Sequence, residues 1–104
     1  MLPDVEGYDA LVRDFRWKLP QRYNIAQACC DRWAAATPDA PALIQWTDDG
    51  TRSVSFAQLR GRADRLANAL QALGVGRGDK VGILLPQCVE AAQAHLAVYK
   101  LGAV

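Results

Sequence analysis

The chain has 104 residues, of which 51% are hydrophobic, 8% aromatic and 22% charged, a composition typical of a folded globular domain. Twelve Lys and Arg residues stand against 11 Asp and Glu residues, so the formal net charge is +1. This balance argues against the strongly basic surface with which proteins bind nucleic acid or an anionic membrane. A chain of this length buries about two thirds of its unfolded surface, so we expect a thin core.

The first residues and the cysteines indicate a cytoplasmic protein. Residues 1–6 contain no basic region followed by an apolar run, so no secretory signal is expected. The longest nearly apolar stretch, residues 88–99, is too short and too polar to span a bilayer. The three cysteines, Cys29, Cys30 and Cys88, are odd in number and lack Cys-x-x-Cys spacing, which argues against a disulfide framework or a zinc site.

Two helices are predicted in the first third of the chain. The first has one apolar face, made by Tyr8, Leu11, Val12 and Phe15, and residues 17–20 end it because the residue before a proline avoids the helical region. A connector to residue 23 follows.

The second predicted helix begins at Asn24, whose side chain can accept from the amides of the first turn, and Gln27 completes a variant of the capping box. Two prolines within residues 37–41 end it. Its apolar stripe places Cys29 on the buried face and consists of Ile25, Ala28, Cys29, Trp33 and Ala36.

A hairpin and a long helix are predicted next. Strands 42–46 and 52–56 flank turn residues 47–51, in which Asp49-Gly50 supplies the positive-φ position of a hairpin turn. From Ala57 the period becomes helical, and Gly74 caps this helix before a loop at 75–79. The apolar stripe of the helix consists of Leu59, Ala63, Leu66, Leu70 and Leu73.

The last third predicts a strand, a helix and the start of another strand. Residues 80–85 form an apolar run typical of a strand buried in a parallel sheet. Residues 90–101 predict a helix that is apolar on nearly every face, Gly102 ends it, and residues 103–104 begin another strand. Because such a helix needs neighbours on several sides, we expect a fragment of a larger domain, and we expect another copy of the chain to cover this helix.

These elements predict an α/β fold. We expect part of a three-layer α/β sheet that contains the antiparallel hairpin and a right-handed β-α-β crossover from residue 52 through residue 85.

Several residues are candidates for chemistry, and each has a structural interpretation that we favour. The glycines at 74, 76 and 78 follow a helix and precede a strand, the reverse of the strand, loop and helix order of a phosphate-binding loop. His95, the only histidine, has no carboxylate three or four residues away to orient it as a base.

The remaining candidates are thiols, carboxylates and basic residues. Cys29 and Cys30 resemble a vicinal redox pair, but Cys29 on the core stripe favours a buried thiol. Asp48 and Asp49 favour a hairpin turn over a metal site. A solvated face is favoured over a phosphate-binding patch for Arg60, Arg62, Arg65, Arg77 and Lys80. We therefore assign no catalytic, cofactor-binding or metal-binding residue in this chain.

An ordered series of segments resembles a known superfamily. The segments are IA at 25–26, TPDAPAL at 37–43, SFAQL at 55–59, ADRLANAL at 63–70, LGVGRGDKV at 73–81, LLP at 84–86 and KLGAV at 100–104. In this order they resemble the amino-terminal part of the adenylate-forming enzymes, which include acyl-CoA synthetases, peptide-synthetase adenylation domains and luciferases. The run FRWKLPQRYN at 15–24 resembles the acetyl and medium-chain acyl-CoA synthetase branch.

The resemblance implies a ligase. In that family a carboxylate attacks the α-phosphorus of magnesium-bound ATP, pyrophosphate leaves, and coenzyme A then displaces AMP from the acyl-adenylate. It implies ATP, magnesium and coenzyme A as cofactors of a parent enzyme, a small carboxylic acid as its substrate, and the remainder of that enzyme as the partner of this chain. The family's phosphate loop, ribose-binding aspartate and catalytic lysine are expected beyond Val104, so we expect the 104-residue chain alone to be inactive.

The resemblance also divides the chain. Residues 1–23 are expected to form an amino-terminal helix and connector, and residues 24–104 the amino-terminal part of an AMP-binding domain. Two alternatives remain open. One is a self-contained small α/β module that binds a nucleotide or an acyl-CoA, and the other is a thiol redox protein that uses Cys29 and Cys30.

Overall fold

The structure is a computed structural model that describes residues 7–18 and 20–104. Residues 1–6, from which we predicted the absence of a secretory signal, lie outside the described residues, as does Leu19 in the segment predicted to end the first helix. The elements in chain order are helix α1 (Tyr8–Asp14), a π-helical turn (Gln27–Asp31), helix α2 (Arg32–Ala36), strands β1 (Pro41–Thr47) and β2 (Gly50–Ser55), and helices α3 (Phe56–Ala72) and α4 (Val89–Lys100).

Helix α1 forms where its apolar spacing predicts it, but it ends early. Phe15 already has extended backbone, with φ −66° and ψ 127°, so the helix ends before Trp17. Tyr8 is 77% exposed and Val12 is 60% exposed. The described residues therefore leave the apolar face of α1 largely uncovered.

The second helix begins as predicted but buries a different face. The Gln27 N–H donates to Asn24 Oδ1 at 3.2 Å, which confirms Asn24 as the cap. The Arg32 N–H donates to the carbonyl of Gln27, five residues back, which is the bond of a π turn.

The buried residues of this helix are Ala26, Cys30 and Ala34, four apart, whereas Cys29 is exposed. The prediction that Cys29 lies on the buried face is therefore wrong. Steps of four residues drift around a regular α-helix, which has 3.6 residues per turn. The wider π turn keeps these three residues on one face. A sequence analysis that assumes the regular α-helical period could not predict that face.

The antiparallel hairpin is confirmed, with a tighter turn than predicted. Thr47 pairs with Gly50, so only Asp48 and Asp49 connect the strands, and Gly50 has φ +125°. The pairing shifts by one residue between Pro41 and Leu43, which makes a bulge. The hairpin thus delivers Val54 into the core, where it is 1% exposed.

Hydrogen-bonded caps define both ends of helix α3. Ser55 Oγ accepts from the Gln58 N–H at 3.3 Å while Gln58 Oε1 accepts from the Ser55 N–H at 3.1 Å, which is a complete capping box. At the other end Gly74 has φ +94°, its N–H donates to Gln71, and the Val75 N–H donates to Leu70. This is a Schellman motif, so the predicted cap at Gly74 is confirmed.

The core is small and lies between the helices and the hairpin. Cys30, Val54, Leu59 and Val89 form it, and four partly buried residues pack against it: Ala42, Leu43, Phe56 and Leu96. From the predicted stripe of α3, Leu59 and Ala63 are buried, whereas Leu73 is 82% exposed. The capping turn directs Leu73 away from this core.

Helix α4 packs more completely than its apolar sequence led us to expect. Only Glu90 and His95 are exposed on it, and Val89, Ala97 and Val98 are buried. Its neighbours on the described chain, α3 above all, already cover most of it, so the expectation that α4 offers a free face to another copy is not met. Gly102, with φ +68°, ends the helix as predicted.

The mixed α/β class is confirmed, but the described residues contain one sheet, with two strands, β1 and β2. The extended segment, residues 80–85, does not join that sheet, so the predicted β-α-β crossover from residue 52 is not formed between strands of one sheet. A buried parallel strand needs neighbours on its edges. The segment has backbone hydrogen bonds to residue 104 only at its beginning: the Val81 N–H donates to the carbonyl of Val104 at 2.8 Å.

Candidate functional site

The glycine loop at 74–78 follows α3 and folds on itself. The Gly76 N–H donates to Asp79 Oδ2 at 2.8 Å, and Gly78 has φ +88°. The Asp79 carboxylate thus already accepts the hydrogen bond of an N–H group that a bound phosphate would need. This supports the interpretation of the glycine loop as a turn.

His95 lies on α4, whereas Cys29 and Cys30 lie in the π-helical turn. His95 is exposed on α4, with its ring centroid 6.0 Å from that of Tyr99. Cys30 lies in the core with its Sγ 4.0 Å from the carbonyl oxygen of Phe56, and burial raises the pKa of its thiol. Cys29 and Cys30, although adjacent, point to different environments, exposed and buried.

The acidic pair and the basic residues lie on exposed surfaces. Asp48 and Asp49 are exposed in the hairpin turn, and Thr47 Oγ1 donates to the carbonyl of Gly50 there at 2.9 Å. Arg60 lies 3.7 Å from Asp64 on α3. The Arg77 side chain lies over Gly102, where a Cβ would come within 3.3 Å of Arg77 Cγ.

An ion-pair network that the sequence did not reveal joins three elements. Lys100 Nζ on α4 lies 2.5 Å from Asp31 Oδ1 in the π turn and 2.8 Å from Asp64 Oδ1 on α3, and the lysine side chain is only 14% exposed. Burial alone would lower the pKa of Lys100, but hydrogen bonds to the two carboxylates outweigh it and hold the pKa above its usual value. The three residues lie far apart in sequence, so only the fold brings them together.

Asn24 ties the amino-terminal connector to the same region. Its Nδ2 donates to the carbonyl of Tyr99 at 2.7 Å, while its Oδ1 caps the second helix. The residue that the sequence marked as a helix cap is therefore also a contact to the end of α4.

Two open clefts accompany these contacts. One, of about 930 Å³, is polar and is lined by residues 21–24, Gln27, Arg77 and residues 100–102. The other, of about 290 Å³, lies between residues 43–46 of β1 and residues 87–89, where Gln45 Oε1 accepts from the Val89 N–H at 3.4 Å. Neither cleft is lined by a nucleophile together with a histidine or carboxylate to activate it, which acyl or phosphoryl transfer requires.

Metal-binding clusters and membrane spans were sought in the part of the chain that the structure describes. Within it, no group of three or more His, Cys, Asp and Glu side chains is placed to hold a metal ion. Among the same residues no helix has the length and apolar character needed to cross a membrane.

Comparison with known proteins finds one matching family and several similar enzymes. The model of the family described as AMP-binding enzyme matches residues 30–104. The acetyl-coenzyme A synthetase 2 of Zygosaccharomyces bailii is 42% identical over 93 residues, which cover 88% of this chain and 14% of that protein. The acetyl-coenzyme A synthetase of Beijerinckia indica is 38% identical over 100 residues, covering 94% of this chain and 16% of that protein.

Solved structures share the fold. The anthranilate CoA ligase AuaEII, solved in complex with anthranoyl-AMP, superposes with a TM-score of 0.71 at 32% identity, over 83% of this chain and 16% of that one. CmiS6 superposes with a TM-score of 0.69 at 35% identity, over 86% of this chain and 22% of that one. This chain therefore spans between 14% and 22% of the length of these four proteins.

Proposed function

Because the chain belongs to the family of AMP-binding enzymes, we propose that it is the amino-terminal part of an ATP-dependent acyl-CoA synthetase. In this reaction a carboxylate and ATP form an acyl-adenylate and pyrophosphate, and coenzyme A then takes the acyl group and releases AMP. The observation that carries the proposal is the 42% identity to an acetyl-coenzyme A synthetase of which the chain spans 14%. ATP, magnesium and coenzyme A are the cofactors proposed for the parent enzyme, and a small carboxylic acid is its proposed substrate.

The chain by itself is proposed to be inactive. Side chains of the types that catalyse reactions in other proteins do not lie together among the described residues. His95 is exposed on α4, Cys30 is buried in the core, and Asp48 lies in the hairpin turn. Within residues 7–18 and 20–104, no base lies beside a nucleophile and no loop forms a cradle for phosphates, which supports the proposal that the chain alone does not catalyse adenylation.

The experiment is pyrophosphate release from ATP and acetate, measured with the purified 104-residue chain and with the product of the complete reading frame. We expect release from the complete product and none above the enzyme-free rate from the chain. Release by the chain itself would contradict its inactivity. A complete product that is inactive with every small carboxylic acid tested would contradict the ligase assignment.

The division of the chain and its location are also proposals. We propose that residues 1–23 form a helix and connector outside the AMP-binding domain and that residues 24–104 belong to that domain, which the family match over residues 30–104 supports. A cytoplasmic location is supported by three free thiols, Cys29, Cys30 and Cys88. Nucleic acid is not a proposed partner, since the net charge is +1.

Self-association of the isolated chain is proposed through a surface other than α4. Some of the large apolar side chains that are exposed lie on the hairpin and on the extended segment: Ile44 is 64% exposed, Trp46 is 82% exposed and Leu84 is 99% exposed. Exposed apolar surface of this kind marks association sites.

A further inference from the structure

The polar cleft at the end of α4 is lined by basic side chains and by no carboxylate. Among the described residues that line it, Arg22, Arg77 and Lys100 are basic, and none is Asp or Glu. Asp31 and Asp64 pair with Lys100 and balance its charge. Within residues 7–18 and 20–104, Arg22 and Arg77 form no ion pair. The cleft therefore has the excess positive charge of two guanidinium groups.

Arg77 is held against the end of α4 by the glycine loop. The Gly78 N–H donates to the carbonyl of Gly102 at 3.0 Å. A Cβ on Gly102 would come within 3.3 Å of Arg77 Cγ, so the aliphatic stem of Arg77 packs where Gly102 has no side chain. This contact places Arg77 in the lining of the cleft.

Arg22 is held by the connector before the second helix. Asn24 Nδ2 donates to the carbonyl of Tyr99 at 2.7 Å, and Asn24 Oδ1 accepts from the Gln27 N–H at 3.2 Å. Arg22 is two residues from Asn24, so their Cα atoms lie within about 7 Å of each other. The fold thus brings arginines from two distant segments of the chain to one cleft.

The contacts that hold the arginines also occupy carbonyl oxygens at the end of α4. Free carbonyls at the carboxyl end of a helix repel anions. Here the carbonyl of Tyr99 accepts from Asn24 Nδ2, and the carbonyl of Gly102 accepts from the Gly78 N–H. The repulsion of an anion by these two oxygens is therefore reduced.

Two guanidinium groups match a ligand with two negative charges. Arginine has a planar fork of N–H donors that binds phosphate oxygens in pairs. A phosphate monoester has a charge of about −1.5 to −2 at pH 7. The cleft, of about 930 Å³, also has room for an organic group beside Tyr23, which is 66% exposed.

We propose that this cleft binds a small phosphate monoester, with the Arg22 and Arg77 guanidinium groups donating to its phosphate oxygens. The site uses side chains and not the amides of the glycine loop, whose Gly76 N–H is already bonded to Asp79. Its organic group lies against Tyr23 and the two glutamines of the lining, Gln21 and Gln27. The inference goes beyond the proposed function and does not depend on it.

The test is titration calorimetry on the product of the complete reading frame, with phenyl phosphate as the probe. We expect phenyl phosphate to bind more tightly than phenyl sulfate, which has a single negative charge. Arg22→Gln and Arg77→Gln should each weaken phenyl phosphate binding by about tenfold, because each removes a charge-assisted contact. Arg65→Gln is the matched control and should leave binding unchanged, since Arg65 is exposed on α3 and lines neither cleft.

The two arginines decide the outcome. No binding of phenyl phosphate, or binding that Arg22→Gln and Arg77→Gln leave unchanged, overturns the inference. An equal loss in Arg65→Gln also overturns it, since net charge then explains the binding. Inorganic phosphate that binds as tightly as phenyl phosphate supports the phosphate contacts and overturns the place for an organic group.

Pyrophosphate release tests the proposed function separately. A complete product that binds phenyl phosphate through the two arginines but releases no pyrophosphate supports this inference and contradicts the ligase assignment. A complete product that releases pyrophosphate but does not bind phenyl phosphate in the cleft supports the ligase assignment and overturns this inference.

Discussion

Lys100 joins three elements of this chain through ion pairs. It joins α4 to Asp31 and to Asp64 through two short ion pairs, with a side chain that is mostly buried. The ion pair between Arg52 of β2 and Glu90 in the first turn of α4 is half-exposed and longer, at 3.8 Å, so it contributes little. Removing Lys100 therefore leaves Asp31 without this cation and leaves Asp64 with only the half-exposed Arg60, 3.7 Å away.

We expect Lys100→Met to lower the free energy of unfolding by about 2 kcal/mol, since breaking a mostly buried ion pair strands its partners. Urea unfolding of the two proteins measures this loss. Lys18→Met removes the same charge at an exposed position and serves as the control. A loss no larger than that of the control would contradict the role given to the network.

The contribution of Lys100 has a defined pH dependence. Its pKa is raised in the folded protein, so the folded state binds its proton more tightly than the unfolded state. The stabilisation is complete below the unfolded pKa of about 10.4 and is lost as pH rises through the folded pKa. The difference in unfolding free energy between the chain and Lys100→Met should thus be constant from pH 7 to pH 9 and shrink only in strong alkali.

The three thiols should differ in reactivity. Cys29 is exposed, whereas Cys30 is 1% exposed and burial raises the pKa of its thiol. Since the thiolate is the reactive form, we expect a mild thiol reagent to label Cys29 in the folded chain and to reach Cys30 only after unfolding. Peptide mapping after labelling with and without urea decides this. Equal labelling of the two would contradict the π turn, and fast labelling of both would revive the redox alternative.

At the scale of elements, local signals determine where helices begin and end. The capping box at Ser55 and the Schellman motif at Gly74 bound α3. The sequence analysis predicts the cap at Gly74, whereas it places Ser55 in a strand and begins the helix at Ala57. The π turn before α2 has no comparable signal, and it decides which cysteine is buried.

Two glycines of α3 should respond to alanine in opposite directions. Gly74 has φ +94°, which alanine adopts at a cost, so we expect Gly74→Ala to destabilise the chain by about 1 kcal/mol. Gly61 lies inside the helix with nothing within 4 Å of an added Cβ, so Gly61→Ala should stabilise by about 0.5–1 kcal/mol. Thermal unfolding of both variants measures the shifts, and shifts of the same sign would contradict the assigned cap.

At the scale of the whole molecule, the chain is more extended than a compact domain of the same length. Its radius of gyration is 17.2 Å, whereas a compact chain of this length has about 13 Å. Its accessible surface is 8202 Å², whereas a compact monomer of this mass exposes about 5,700 Å². The excess of about 2,500 Å² exceeds the roughly 800 Å² that each partner buries in a standard interface. The surface is therefore large enough for the association proposed above.

Leu84→Asp should reduce self-association of the isolated chain, because it replaces an apolar side chain that is 99% exposed on the extended segment, residues 80–85, with a charged one. Leu73→Asp is the matched control, since Leu73 is 82% exposed but caps the end of α3 and is not part of the extended segment. Light scattering over a concentration series should show a lower mean mass for the Leu84 variant only. An equal effect of both variants, or a monomeric mass for the unsubstituted 104-residue chain, would contradict the proposed association surface.

The sequence by itself determined the local elements and the family of this protein. Helix caps at Asn24 and Gly74, the Asp49-Gly50 turn and the ordered family segments depend on neighbouring residues, so a linear reading finds them. Only the tertiary structure decided that Cys30 and not Cys29 enters the core, that Lys100 meets Asp31 and Asp64, and that residues 80–85 stay outside the two-stranded sheet. Each of these depends on contacts between residues far apart in the chain, and hydrophobic periodicity contains no information about such partners.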